Sequence, residues 1–244
     1  LALLEKTAQL AKDADDSKTV SKLEGVYSSE GIEPQASRLI VEQIEDALEK
    51  KDLNKAFNLS KRIVARDHLP KELQARARYV QAKVLEDEYC RQSVKARVDR
   101  VGIVLAIKTE KLEKAQKAYQ STAKYGDPGM SVRALRALAD IYIDYAKTVR
   151  EMSFTSSLPE ADQKAFRAEI EQLAVPMEEK GIEAMGQALE AAKKAKLRDG
   201  QIAELQVEVN KLNMKNDPSP KVQVKAPAIY VPKFGFIKTA GVGL

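Results

Sequence analysis

The chain has 244 residues, 44% hydrophobic and 32% charged, with 5% aromatic and no tryptophan. That hydrophobic content excludes an intrinsically disordered chain. Abundant helix-forming residues, with nine prolines and eleven glycines, argue against an all-β fold. The 41 Lys and Arg against 36 Asp and Glu leave a net charge of +5 carried by both signs, unlike the one-sided basic face of a nucleic-acid binder.

In chain order, residues 2–13 read as a first helix with Leu3, Leu4, Ala8 and Leu10. Val20, Leu23 and Val26 make a short helix around Gly25, followed by a loop at 28–31. Pro34 starts a longer helix whose stripe is Ala36, Leu39, Ile40, Ile44, Ala47 and Leu48, three and four residues apart as one helix face requires. Lys51-Asp52 is a tight joint to a partner helix carrying Leu53, Ala56, Phe57, Leu59, Ile63 and Val64, so residues 34–66 form an antiparallel pair. A helix begins at Pro70 with Leu73, Ala77, Val80, Ala82, Val84 and Leu85, and a break is expected between Arg91 and Asp99.

Residues 97–150 organise the rest. The run Val101-Gly102-Ile103-Val104-Leu105-Ala106-Ile107 is expected to be buried. Beyond it Lys108, Lys111, Lys114 and Lys117, with Glu110 and Glu113 among them, read as a solvated helix face, or less readily as a surface for an anionic partner. Tyr125-Gly126-Asp127-Pro128-Gly129 breaks the helix, since glycine suits the turn, aspartate a cap and proline a first helical position. The next helix is expected to start near Ser131, with Ala134, Leu138, Ile141, Tyr142 and Tyr145 on one face. After a loop at 152–157, Leu158-Pro159-Glu160 begins another helix, and Pro176 predicts a kink or restart within it. Gly181 and Gly186 permit close approach, and Gly200 separates a last helix at 201–213. Residues 214–244 are an extended tail, because Pro218, Pro220, Pro227 and Pro232 bar a helix.

Helix pairs at 34–66, 71–125 and 131–195 approach the tetratricopeptide period, with lengthened repeats. Ala115, Tyr119 and Pro128, then Leu138-Ala139 and Tyr142, match parts of that pattern, at an offset two residues too long. The stretches Glu88-Tyr89-Cys90-Arg91-Gln92-Ser93-Val94-Lys95, Lys108-Thr109-Glu110-Lys111-Leu112-Glu113-Lys114-Ala115-Gln116-Lys117-Ala118-Tyr119, Tyr125-Gly126-Asp127-Pro128 and Pro176-Met177-Glu178-Glu179-Lys180-Gly181 are more specific. Together they resemble a group of envelope tetratricopeptide proteins of gliding and predatory bacteria, found among large proteins of the motility and cell-envelope machinery. The resemblance spans about residues 70–213. It implies a non-catalytic assembly component in the periplasm or associated with the envelope. The chain opens on Leu1 without a methionine, and is expected to be a processed protein or a fragment whose export signal is gone.

Catalytic chemistry has few carriers. His68 is the single histidine and Cys90 the single cysteine, too few for a zinc site or an intrachain disulfide. Cys90 is expected to be packed and unreactive. Gly235-Phe236-Ile237-Lys238-Thr239-Ala240-Gly241 lacks the glycine before lysine of a phosphate-binding loop. No apolar run approaches the ~18 residues needed to cross a bilayer.

These observations predict an all-α, tetratricopeptide-like α-solenoid over residues 1–213 and an interaction tail at 214–244. No enzyme activity, cofactor, metal or nucleic-acid partner is expected. Partners are other proteins, including further copies in an envelope assembly, held in a helical groove or by the tail. Candidate partner-binding residues are Arg76, Arg78, Gln81 and Arg136 at polar positions between the helix stripes, and Tyr230, Phe234 and Phe236 in the tail. The tail either docks on its own helices or inserts into a neighbour. The alternatives are a basic surface for an anionic polymer or membrane and, less favoured, a helical enzyme using a carboxylate pair.

Overall fold

The computed structural model describes residues 2–14, 16–29, 31, 33–152 and 160–215. Among them the chain is all-helical, without strands. In order the helices are α1 (Ala2–Asp13), α2 (Ser17–Ser29), α3 (Glu33–Glu49), α4 (Leu53–Val64), α5 (Lys71–Arg91), α6 (Val101–Lys124), α7 (Pro128–Arg150), α8 (Glu160–Lys194) and α9 (Asp199–Lys215), with one 3-10 turn at Val98–Arg100. The expected break after Arg91 is present. Residues 153–159, which hold most of the loop expected at 152–157 and the expected helix start Leu158-Pro159, and the tail from residue 216 lie outside the described residues.

Local chemistry fixes the joints. Lys51 takes a left-handed φ of 59°, its N–H donating to Leu48 O at 3.0 Å and that of Asp52 to Ala47 O at 2.8 Å. This closes α3 as a Schellman turn with lysine where glycine is usual. The Asp52 carboxylate then accepts from Lys55 N at 3.1 Å and caps α4, so one residue ends a helix and opens the next. Lys196, φ 52°, closes α8 in the same way through Leu197 N to Ala192 O. Before α7, Gly126 supplies a φ of 83° and Asp127 accepts from Met130 N at 2.6 Å. Pro128 is therefore the first helical residue, and α7 starts three residues before the expected Ser131. Likewise α9 starts at Asp199, which places Gly200 inside its first turn.

The described residues fall into two compact units, one drawn from the range 1–85 and 116–134, the other from 86–115 and the described residues beyond 134. In the first unit α1 packs on α2, α2 on α3 and α3 on α4. Ala8, Leu23, Tyr27, Ala36 and Leu39 form one apolar cluster. Ile40, Val41, Ile44, Ala56, Ile63, Leu73, Ala77, Val80 and Val84 form another. Helix α3 thus buries one side against α1 and α2 and another against α4 and α5. Helix α5 is buried on more than one face, since Gln74, Ala75, Gln81 and Ala82 are covered along with Leu73, Ala77, Val80 and Val84.

In the second unit α8 packs on α9. Of the kink or restart expected at Pro176, the restart is absent: α8 is one helix that runs through the proline. Proline in a helix interior costs ~3 kcal/mol. Ile170, Ala174, Met185, Ala188, Leu189 and Ala192, all buried on one face of α8, offset that cost. The apolar run at 101–107 is only half covered: Val101 and Leu105 are buried, while Ile103 is 63% and Ile107 39% exposed. The run is longer than the width of one helix face.

The two α8 glycines differ. A Cβ at Gly181 would lie 2.7 Å from Ile143 Cγ1 and 3.1 Å from the Ala139 carbonyl oxygen, so Gly181 lets α8 approach α7 closely. At Gly186 it would meet nothing within 4 Å among the described residues, and the close approach expected there is absent. Gly181→Ala should therefore lose ~1–2 kcal/mol despite alanine's better helix propensity, because the β-branched Ile143 and a backbone oxygen yield poorly. Gly186→Ala should gain up to ~1 kcal/mol. Denaturant unfolding of both variants measures this, and equal shifts of the same sign would contradict it.

Candidate functional site

The first unit carries an open groove of about 600 Å³ built from three helices. Its apolar surface comes from Leu48 on α3, Tyr79 and Val80 on α5, and Met130 on α7. The edge of the Tyr79 ring meets Tyr119, centroids 5.8 Å apart. The charged lining is Glu45, Glu49, Glu72 and Asp127 against Arg76 and Arg133, an excess of carboxylates. Arg76 is engaged in the wall, since its Nε and Nη2 donate to the two Glu45 oxygens at 3.0 and 2.5 Å. This two-pronged bond, aided by Glu72 and Glu42, raises the Arg76 pKa against partial burial. Asp127 is committed to capping α7, which leaves Glu49 and Glu72 as the exposed acids of the lining.

Of the described residues singled out in the sequence, Arg76, Arg78 and Gln81 belong to the first unit and Arg136 to the second. Arg76 lines the groove. Arg78 donates to the Gln81 side-chain oxygen one turn along α5. Gln81 is 3% exposed, so it is not the surface position expected of it, because α5 is covered on more than one side. Arg136, in the second unit, is exposed and pairs with Glu208 on α9. Tyr230, Phe234 and Phe236 lie outside the described residues. Leu48, Tyr79, Met130, Glu49, Glu72 and Arg133 were not legible as a site. Three segments distant in sequence supply them, and each alone reads as ordinary helix.

A second polar cluster lies in the other unit. Lys108, expected on a solvated face, is 3% exposed. Steps of three residues turn a helix back by ~60° each, so Lys108 and Lys117 point to opposite sides. The Lys108 Nζ donates to the Tyr89 carbonyl at 2.8 Å and lies 3.7 Å from the centre of the Tyr89 ring. Tyr89 belongs to the last turn of α5, where its carbonyl also accepts from Gln92 N at 3.1 Å and a cation opposes the helix dipole favourably. Burial lowers the Lys108 pKa, opposed by Asp144. A lysine so shifted resembles an activated amine. Its geometry instead ties α6 to the end of α5, and Tyr89 OH extends the network by donating to Asp144 Oδ2 at 2.9 Å. Cys90 is exposed rather than packed. Partial burial of its thiol, then Glu86 and Asp144, raise the thiol pKa and oppose thiolate formation.

Burial raises the phenol pKa of Tyr89 and Tyr145, and brings that of Tyr142 to about 12. Unfolded phenols ionise near pH ~10. From about pH 10 to 12 the native state therefore holds protons that the unfolded state has lost, and stability falls as pH rises. The lowered Lys108 pKa acts in the opposite sense below lysine's ordinary value of 10.5. Denaturant unfolding across that window should show a net fall, shallower for Tyr142→Phe. Identical slopes would contradict the assignment.

Among the described residues no cluster of three or more His, Cys, Asp or Glu is arranged to hold a metal. No described helix is long and apolar enough to cross a membrane. Comparison of the chain with protein-family models, with curated proteins and with solved structures gives no match.

Proposed function

We propose that this chain is a non-catalytic scaffold that binds another protein in the groove between α3, α5 and the start of α7. The observation that carries the reading is the groove itself, about 600 Å³, with half-buried Leu48 and Tyr79 over buried Val80 and Met130 and charge at its edge. Apolar anchors within a polar rim are what peptide-binding surfaces present. A tetratricopeptide-like α-solenoid is the architecture proposed. Its support is the chain-order packing of α1 through α4 and the two-sided burial of α3. Placement in a bacterial envelope or motility assembly rests on the sequence resemblance described above.

Binding to an anionic polymer or membrane is less well supported. The lysine series it would use is divided around α6, with Lys108 buried and Lys114 paired to Glu110 at 2.7 Å. A carboxylate-pair enzyme is less well supported still, because Glu45 is tied to Arg76 and Asp127 caps α7.

The test is recovery of partner from the native envelope fraction by the full chain and by Leu48→Asp, with melting temperature as the folding control. We expect a partner held by the wild type and reduced at least about tenfold by the variant, the loss of ~1.4 kcal/mol of binding. Equal recovery by both, from a folded variant, would contradict the groove reading.

A further inference from the structure

We infer that the groove takes the C-terminal segment 218–244 of a second copy of this chain, so that copies associate through tail and groove. The inference rests on the groove reading above and names its occupant.

Charge selects this segment. The groove lining has four carboxylates to two guanidiniums, and with Glu45 bound to Arg76 the excess falls on Glu49 and Glu72. From Pro218 onward the chain has Lys221, Lys225, Lys233 and Lys238 and no aspartate or glutamate. Groove and segment are therefore opposite in sign, although the whole chain is basic.

Apolar chemistry agrees. Ile229, Tyr230, Val231 and Phe234 flank Lys233, so anchor and cation stand side by side, as the floor of Leu48, Tyr79 and Met130 does beside the acidic rim. The segment carries Pro218, Pro220, Pro227 and Pro232, and a proline-rich peptide loses less backbone entropy than other sequences when held in a groove. The scaffold reading has the groove join separate molecules, so the segment is assigned to a second copy; a chain that filled its own groove would stay single in sedimentation. Groove and segment are different surfaces, so copies join either by reciprocal exchange in a two-fold dimer or by propagation into a ring or an open chain.

Sedimentation equilibrium of the full chain, over a range of concentrations and salt, tests this. The wild type should self-associate with concentration and less so as salt screens the contact. Glu49→Lys with Glu72→Lys, and separately Lys225→Glu with Lys233→Glu, should each weaken association by about tenfold or more. Both pairs of changes leave the apolar cores intact, and melting curves confirm folding. An equimolar mixture of the two variants should recover association, because each supplies the unaltered surface the other lacks. A wild type that stays a single chain throughout overturns the inference. So do variants that associate as the wild type does, or a mixture that remains single chains. A wild type that stays single while Leu48→Asp loses another protein removes this inference and leaves the groove reading standing.

Discussion

Helix α3 has apolar residues on two sides, and neither side is left to water. Ala36 and Leu39 join the cluster with α1 and α2, while Ile40, Val41, Ile44 and Ala47 join the cluster with α4 and α5. Its neighbours α1, α2 and α4 are 12, 13 and 12 residues long. Isolated helices of that length are marginal in water, so their order comes from packing and not from propensity. Each joint keeps the hand-over short. At Asp52 the end of α3 and the cap of α4 meet in one residue, which forces the two helices side by side. Within this unit the fold depends on helices that shelter one another in chain order.

The same arrangement creates the groove. Covering α5 on more than one side brings Tyr79 and Val80 between α3 and the start of α7, where Met130 follows the Asp127 cap. The Arg76–Glu45 pair spans α5 and α3, and Tyr79 meets Tyr119 edge to face. A surface held on helices in this way is defined before any partner arrives, which lowers the cost of binding.

Much of the helix order was legible in the sequence because its signals are local. Hydrophobic spacing placed α1 through α5, Gly126-Asp127-Pro128 marked the α6–α7 joint, and Lys51-Asp52 marked the α3–α4 joint. Interactions between distant residues were not legible. Lys108 reads as a surface lysine until the Tyr89 carbonyl is found 2.8 Å away. Gln81 reads as polar surface until α5 proves to be covered around it. Pro176 reads as a kink or restart, and whether the helix continues through it depends on the packing on either side. The groove needs three segments at once, and among the described candidates named from sequence only Arg76 lies in it.

Native-state hydrogen exchange tests the chain-order packing most directly. Helix α1 leaves Leu3 and Leu10 exposed and depends on the cluster it shares with α2 and α3. The account predicts that amides of α1 and α2 exchange through openings of lower free energy than those of α3 around Ile40 and Ile44, with α4 and α5 opening together with α3. A single free energy and a single denaturant dependence shared by α1, α2 and α5 would show one indivisible core, and would contradict it.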